Sequence, residues 1–537
     1  MRSRPREWVR MQTNRLAIFA LSISVFLACA SNAQDIPPHP EKGPPPANPE
    51  LTVLPNDKHS VTNHTVSIDG RQLAYNATAG VLSVAPVDSL PEARIFYVSY
   101  EVDSPQKADR PITFAFNGGP GTASAYLHLG ALGPRRLLLG DDGSVPPPPA
   151  QFADNPLTWL AFTDLVFIDP VGTGYSRGVP GKDGKPDDQP FFGTRPDILT
   201  LGRAVRLYLA HNGRWQSPKF LVGESYGGFR VAALAETLQA DFGIALNGAV
   251  MISPVIDFAF TAGGGRRDHP LSWALELPTY AAVALHHGRS RLPKPDGPIN
   301  RPMLADVEAW ALDGYLSGLA QGEMLKGPAA DAFFDKLSGY TGLSRDIVQR
   351  RHGQITSREF AKNLLSGTGR ALNLYDGGDS FIDPDPGDPG PAPGYLSLAA
   401  LNEALLPAIN AYIRTELKFE TDLTYYLENE EVERQWRWHQ KDTQQGYVSA
   451  LESLKSGITL NPNFKALIAH GLFDFVTPYF GSVYLVNQMR LDSAVRPNIE
   501  IKTYEGGHMM YIHQAARELL FHDASAFYAA AAPTRTQ

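Results

Sequence analysis

From about residue 60 onward the chain carries two kinds of apolar pattern. In "TVSIDGRQLAY" apolar and polar residues alternate on either side of Asp69-Gly70, which predicts a hairpin closed by a two-residue turn. "ARIFYVSYEV" (93–102) and "ITFAF" (112–116) read as further strands. "DLVFIDP" (164–170) is apolar without alternation, the pattern of a strand buried on both faces. Next, "PDILTLGRAVRLYLAHN" spaces Ile198, Leu201, Val205 and Leu209 by three, four and four residues, predicting an amphipathic helix. "KFLV" (219–222) predicts a strand, "FRVAALAETLQ" (229–239) a helix and "NGAVMIS" (247–253) another strand. Strand and helix in succession imply a mostly parallel sheet with helices on its faces.

Past residue 258 the buried-strand runs stop. Helical, aromatic segments such as "ADVEAWALDGYLSGLAQ" replace them until about 445, interrupted by "YDGGDSFIDPDPGDPGPAPG" (375–394). The parallel-sheet pattern returns with "FKALIAHG" (464–471), a helix around "SVYLVNQM" (482–489), the strand "NIEIKTYE" and a last helix. One α/β core in two parts, 59–257 and 446–532, interrupted by a mostly helical cap at 258–445, accounts for the resumption; two independent domains do not. No internal repeat is evident.

Composition adds location and excludes partners. With 537 residues, 43% hydrophobic and 19% charged, the chain has ample material for a large core. Residues 1–33 hold five arginines against Glu7, then "LAIFALSISVFLACA" and the small residues before Gln34, which reads as an export signal cleaved after Ala33, with Met11 as an alternative start. Residues 34–58 read as a proline-rich linker. The formal charge of −8 becomes −12 once the net +4 of the leader is removed, which leaves no footprint for nucleic acid or anionic lipid. Cys29, the only cysteine, lies inside the leader, so the mature chain would have no disulfide; a lipid anchor at Cys29 is a lesser alternative. An exported protein without disulfides points to a bacterial origin and a periplasmic or extracellular location.

Chemistry concentrates at Gly223-Glu224-Ser225-Tyr226-Gly227. A serine on a tight turn between a strand and a helix has an exposed hydroxyl, and glycines two residues to either side avoid clashes with the crossing chain. Such a nucleophile needs a base and an orienting acid, which in an α/β hydrolase follow in the order Ser, Asp, His. Asp474 lies just beyond a late strand, 249 residues on, and His508 follows the next strand, 34 residues later. His470, His513 and His522 lack that loop position and read as structural or surface residues. "FAFNGGPGTAS" (114–124) is a glycine-rich loop after a strand, suited to present amides to an oxyanion together with the N–H of Tyr226. No HExxH motif is present, and Gly172-Thr173-Gly174 lacks the third glycine of a dinucleotide loop. Asp376, Asp379, Asp383, Asp385 and Asp388 are interleaved with prolines that break calcium-loop spacing and read as a solvated acidic loop.

Together these blocks resemble the serine carboxypeptidases: "FNGGPGTAS", "LGALGP" (129–134), "NPLTW" (155–159), "IDPVGTGYS" (168–176), "GESYGG" (223–228), "HGLFDFVTPY" (470–479) and "GGHMMY" (506–511), in that order. The resemblance implies an α/β-hydrolase fold with the helical insertion as a roof. It implies Ser225 as nucleophile, Asp474 and His508 as its partners, Gly119 and Tyr226 as the oxyanion hole, and release of C-terminal residues from peptides without metal or cofactor. Asn117, Gly118 and Glu224 match positions that bind the substrate's terminal carboxylate. Ala115 stands where the family commonly has tryptophan, and Ala131 where it has a glutamate that shares a proton with the equivalent of Glu224. An acid pH optimum and strict exopeptidase action therefore do not carry over; Arg135 and Arg136 are candidates for a substitute clamp, against a plain surface role. The alternatives are an esterase or acyltransferase on the same machinery, or a catalytically silent binding protein.

Overall fold

Strand β1 (His59–Ile68) pairs antiparallel with β2 (Arg71–Val84). Asp69 and Gly70 between them sit at φ 48° and 75°, the left-handed geometry that a two-residue hairpin turn requires. The computed structural model describes residues 53–85, 91–104, 107–181, 184, 186–260, 269–388, 390, 394, 396–438 and 448–532. The expected leader, Cys29 and residues 34–52 of the linker lie outside the described residues.

Later strands are β3 (Ala93–Val102), β4 (Ile112–Phe116), the small hairpin β5 (Arg135–Leu137) and β6 (Phe152–Asp154), β7 (Asp164–Ile168), β8 (Arg177–Gly178), β9 (Lys219–Glu224), β10 (Gly248–Ile252), the hairpin β11 (Arg370–Leu372) and β12 (Ser380–Ile382), β13 (Lys465–Gly471) and β14 (Ile499–Tyr504). The ten-stranded main sheet runs β1-β2-β3-β7-β4-β9-β10-β13-β14, with β8 on β3. It is antiparallel up to the β3–β7 pair and parallel from β7 to β14. This is the α/β-hydrolase arrangement. The chain leaves β4 to one side to form β7, then returns to lay β9 on the other. Loops after β4 and β9 therefore diverge and open a crevice at the carboxyl ends of the strands, where ligands of open α/β sheets bind.

Residues of β4, β7 and β10 are buried throughout. Alternate side chains serve two cores. Phe114, Leu221, Ala249 and Ile468 pack with Leu201, Val205 and Leu234 of the helices Thr194–His211 and Tyr226–Ala240. Ala115, Val222, Val250 and Leu467 pack on the opposite face with Leu520, Phe527 and Tyr528 of the helix Gln514–Ala531. Both faces are apolar, which is why these strands read as continuous apolar runs.

Between β10 and β13 the chain forms mostly helices, including Pro270–His286, Gly327–Thr341 and Leu396–Thr415. Trp273, Tyr280, Phe333 and Phe360 of this insertion share a third core with Phe473 and Phe475, the neighbours of Asp474. The insertion is thus packed directly against the loop after β13. The acidic segment needs a correction. Asp379, Asp385 and Asp388 are exposed, but Asp376 and Asp383 are buried at 7% and 6% exposure. Asp383 is held by Lys362 at 2.7 Å. Among the described residues no helix is long and apolar enough to cross a membrane, and no cluster of three or more side chains suits a metal ion.

Candidate active site

Ser225 links β9 to the helix Tyr226–Ala240 at φ 59° and ψ −124°. A residue with a Cβ is strained there by about 1–3 kcal/mol, so neighbouring structure must hold it. It does so through Ser225 N–H donating to Ile252 O (3.0 Å), and through Gly228 and Val255 N–H donating to Ser225 O (2.9 and 3.2 Å). A Cβ on Gly223 would lie 2.0 Å from Gly227 O, and one on Gly227 2.3 Å from Phe116 O. The flanking glycines are therefore a packing requirement of the turn. The partly exposed serine and His508 line the same cavity of about 360 Å³.

Asp474 and His508 are brought together by adjacent parallel strands, β13 and β14, which end side by side. His508 Nδ1 lies 2.8 Å from Asp474 Oδ2, and both side chains are buried. Asp474 Oδ1 accepts the Val476 and Thr477 amides at 2.8 and 3.0 Å, and Oδ2 also accepts the Thr477 hydroxyl at 2.6 Å. Burial alone would raise the Asp474 carboxyl, but the charge and hydrogen bond of His508 with these donors hold it below its ordinary value. An ionised carboxylate only accepts, so Nδ1 of His508 carries the proton and Nε2 is left as the basic nitrogen. Burial opposes protonation of His508, yet Asp474, aided by Glu224, lifts its pKa above the ordinary histidine value.

Arg230 shapes the loop after β4. It is fully buried, donates from Nε and Nη2 to Asp197 at 2.8 and 3.3 Å, and donates from Nη1 to the carbonyls of Asn117 and Gly118. In a trans peptide the N–H points opposite to the C=O. Binding these two carbonyls therefore turns the N–H groups of Gly118 and Gly119 away from Arg230, and both glycines line the cavity. A Cβ on Gly118 would lie 2.6 Å from Tyr226 N, so the loop and the amide that opens the helix are in close contact. That amide belongs to the first helical turn and has no intrahelical acceptor.

Asn117 and Glu224 are also buried and line the cavity. Asn117 Oδ1 accepts the Leu127 amide at 3.0 Å, which orients Nδ2 to donate to Glu224 Oε2 at 3.1 Å. The hydroxyl of Tyr511 donates to the same oxygen. Burial pushes the Glu224 carboxyl up to about 7, while His508 and the two hydrogen bonds pull it back and Asp474 adds to the rise. Both bonds fall on Oε2, so a proton on this carboxyl belongs on Oε1. Ala115 and Ala131 are buried, and Tyr511 supplies the partner that the sequence had left missing for Glu224.

The arginine clamp fails. Arg135 pairs with Asp154 and Glu416 at 2.6 and 2.7 Å, and neither it nor Arg136 lines the cavity. Among the described residues lining it, Glu224, Glu428 and Glu433 carry carboxylates, and none is lysine or arginine. His470 is buried against Ser482 Oγ at 2.8 Å, and His513 pairs with Asp376. Sequence patterns did not reveal Arg230, Tyr375, Thr477 or Tyr511. Arg230, Tyr375 and Tyr511 meet partners 33 or more residues away in the chain, and Thr477, although only three residues from Asp474, belongs to no motif spacing that marks it.

The sequence profile of the family described as Serine carboxypeptidase matches residues 72–263. A pheromone-processing carboxypeptidase of Puccinia graminis f. sp. tritici is 28% identical over 170 residues, covering 30% of this chain and 23% of that protein. Serine carboxypeptidase-like 51 of Arabidopsis thaliana is 30% identical over 196 residues, covering 33% of this chain and 38% of that protein. The chain thus spans 23% and 38% of the lengths of these two curated relatives. Among solved structures, proline iminopeptidase of Mycobacterium smegmatis aligns over 88% of this chain and 99% of its own, with 12% identity and a TM-score of 0.33.

Proposed function

We propose that this protein is a serine-type carboxypeptidase-like hydrolase that releases C-terminal residues from peptides through an acyl-enzyme. The observation that carries the reading is the buried Asp474–His508 hydrogen bond, with His508 lining the cavity that also holds Ser225, Gly118 and Gly119. In this reading His508 Nε2 takes the proton of Ser225 Oγ as the oxygen attacks the scissile carbonyl carbon. Negative charge gathers on the carbonyl oxygen, which the N–H groups of Gly119 and Tyr226 stabilise without rearrangement. His508 passes the proton to the departing amine. Water then attacks the acyl-serine by the same route, with His508 again as base.

Selection for a chain terminus falls to neutral donors, since no lysine or arginine is among the described lining residues. Asn117 Nδ2, the Gly118 N–H and a protonated Glu224 at Oε1 suit a carboxylate. An ionised Glu224 repels one. An esterase or acyltransferase uses the same triad but has no need of this cluster. The discriminating experiment compares an N-blocked dipeptide with its C-terminal amide. The free acid is expected to be cleaved with the higher kcat/KM, and Asn117→Ala should raise KM for the acid by about 10–100-fold with little change for the amide. Equal kcat/KM for acid and amide would remove the carboxypeptidase claim and leave a general serine hydrolase.

A further inference from the structure

The segment Tyr375–Gly377, contributed by the insertion, touches the loops of both His508 and Asp474. Tyr375 O accepts the His508 amide at 2.5 Å. Asp376 Oδ2 accepts the Gly507 amide at 3.0 Å. Gly377 N–H donates to Phe473 O at 2.9 Å, one residue before Asp474. These are three consecutive residues with three hydrogen bonds to the backbone at or beside two members of the triad. The Tyr375 ring also stands edge-on to the His508 ring, with centroids 5.4 Å apart.

This strap is itself anchored. His513 Nε2 lies 2.6 Å from Asp376 Oδ2, and His287 Nε2 lies 2.8 Å from Gly377 O. An ionised Asp376 only accepts, so His513 donates to the oxygen that already holds Gly507. Asp376 Oδ1 accepts the Gly378 amide at 2.9 Å and closes the turn. The contact is close enough to dictate sequence: a Cβ on Gly507 would lie 2.1 Å from Tyr375 O and 2.4 Å from Asp376 Cα. Gly507 therefore serves to let the strap pass against the histidine loop.

We infer that Asp376, locked by His513, is a positioning residue for His508, so that the insertion sets the geometry of the general base as well as covering the site. The inference rests on the proposed roles of Ser225 and His508. Misplacement of a reacting group by about 1 Å costs on the order of 100-fold in rate, and Asp376→Ala removes the acceptor of the Gly507 amide and the partner of His513 together.

The test uses the full-length protein and the second-order rate constant for labelling of Ser225 by a fluorophosphonate, which needs no knowledge of the peptide substrate. Asp376→Ala is expected to reach the same labelling end point as wild type, but about 10–100-fold more slowly. Asp376→Asn, which keeps an oxygen for the Gly507 amide, should fall between them, and His513→Gln should slow labelling less than Asp376→Ala. A merely structural role would lower Tm and leave the rate per labelled site unchanged, and that result for Asp376→Ala overturns the inference. If Asp376→Ala does not fold, wild-type labelling rates in both Asp376→Asn and His513→Gln overturn it instead. A wild-type protein that never labels is a separate outcome, which overturns the proposed nucleophile and this inference with it.

Discussion

Glu224 receives both of its side-chain hydrogen bonds on one oxygen, and this governs how the site should respond to pH. In the proposed reading its carboxyl, pushed up to about 7 by burial, would hold a substrate carboxylate only when protonated. In the same reading His508, whose pKa is raised by Asp474 against the effect of burial, would act as a base only when neutral. Activity on a free-acid peptide should therefore rise with pH as His508 loses its proton and fall again as Glu224 ionises. Tyr511 donates to the ionised form of Glu224 and so lowers its pKa. In Tyr511→Phe the carboxyl stays protonated to higher pH, and the alkaline limb of kcat/KM for the free acid should move upward. An unmoved limb in that profile would show that Glu224 does not control it. Ser225, Asp474 and His508 were legible in the sequence because each sits in a short local motif after a strand. Tyr511 ends the motif GGHMMY, but its partner is 287 residues away, and nothing in the pattern joins the two.

At the scale of elements, apolar patterning located the buried strands well because both faces of the sheet are covered. It missed β5, β6, β8, β11 and β12, two or three residues each, too short to carry an apolar pattern of their own. It also took the acidic segment as solvated. Asp376 is buried because His513, the Gly507 amide and the Gly378 amide satisfy it, and two of those three lie more than 130 residues away. Arg230 is the counterpart on the other side of the site, joining the helix Tyr226–Ala240 to Asp197 and to the loop after β4. Arg230→Met leaves Asp197, 5% exposed, without its partner. Breaking a buried pair from one side costs about 3–5 kcal/mol, which denaturant unfolding should register. A loss below about 1 kcal/mol, in the range of exposed pairs, would contradict the role given to Arg230.

For the molecule as described, sheet topology gathers the site. The loops after β4 and β9 diverge at the reversal of strand order, β13 and β14 bring Asp474 and His508 to the same edge of that crevice, and the insertion packs against it. Segments more than 380 residues apart thereby contribute to one cavity, which local sequence patterns could indicate only piecewise. The central claim is that Ser225 is a nucleophile activated by His508 and Asp474. Its most direct measurement is the stoichiometry and site of fluorophosphonate labelling in wild type, Ser225→Ala and His508→Ala. One label per chain on the peptide that contains Ser225, none in Ser225→Ala and strongly slowed labelling in His508→Ala is the predicted result. Wild-type protein that stays unlabelled, or Ser225→Ala that still takes up one label per chain, would contradict it.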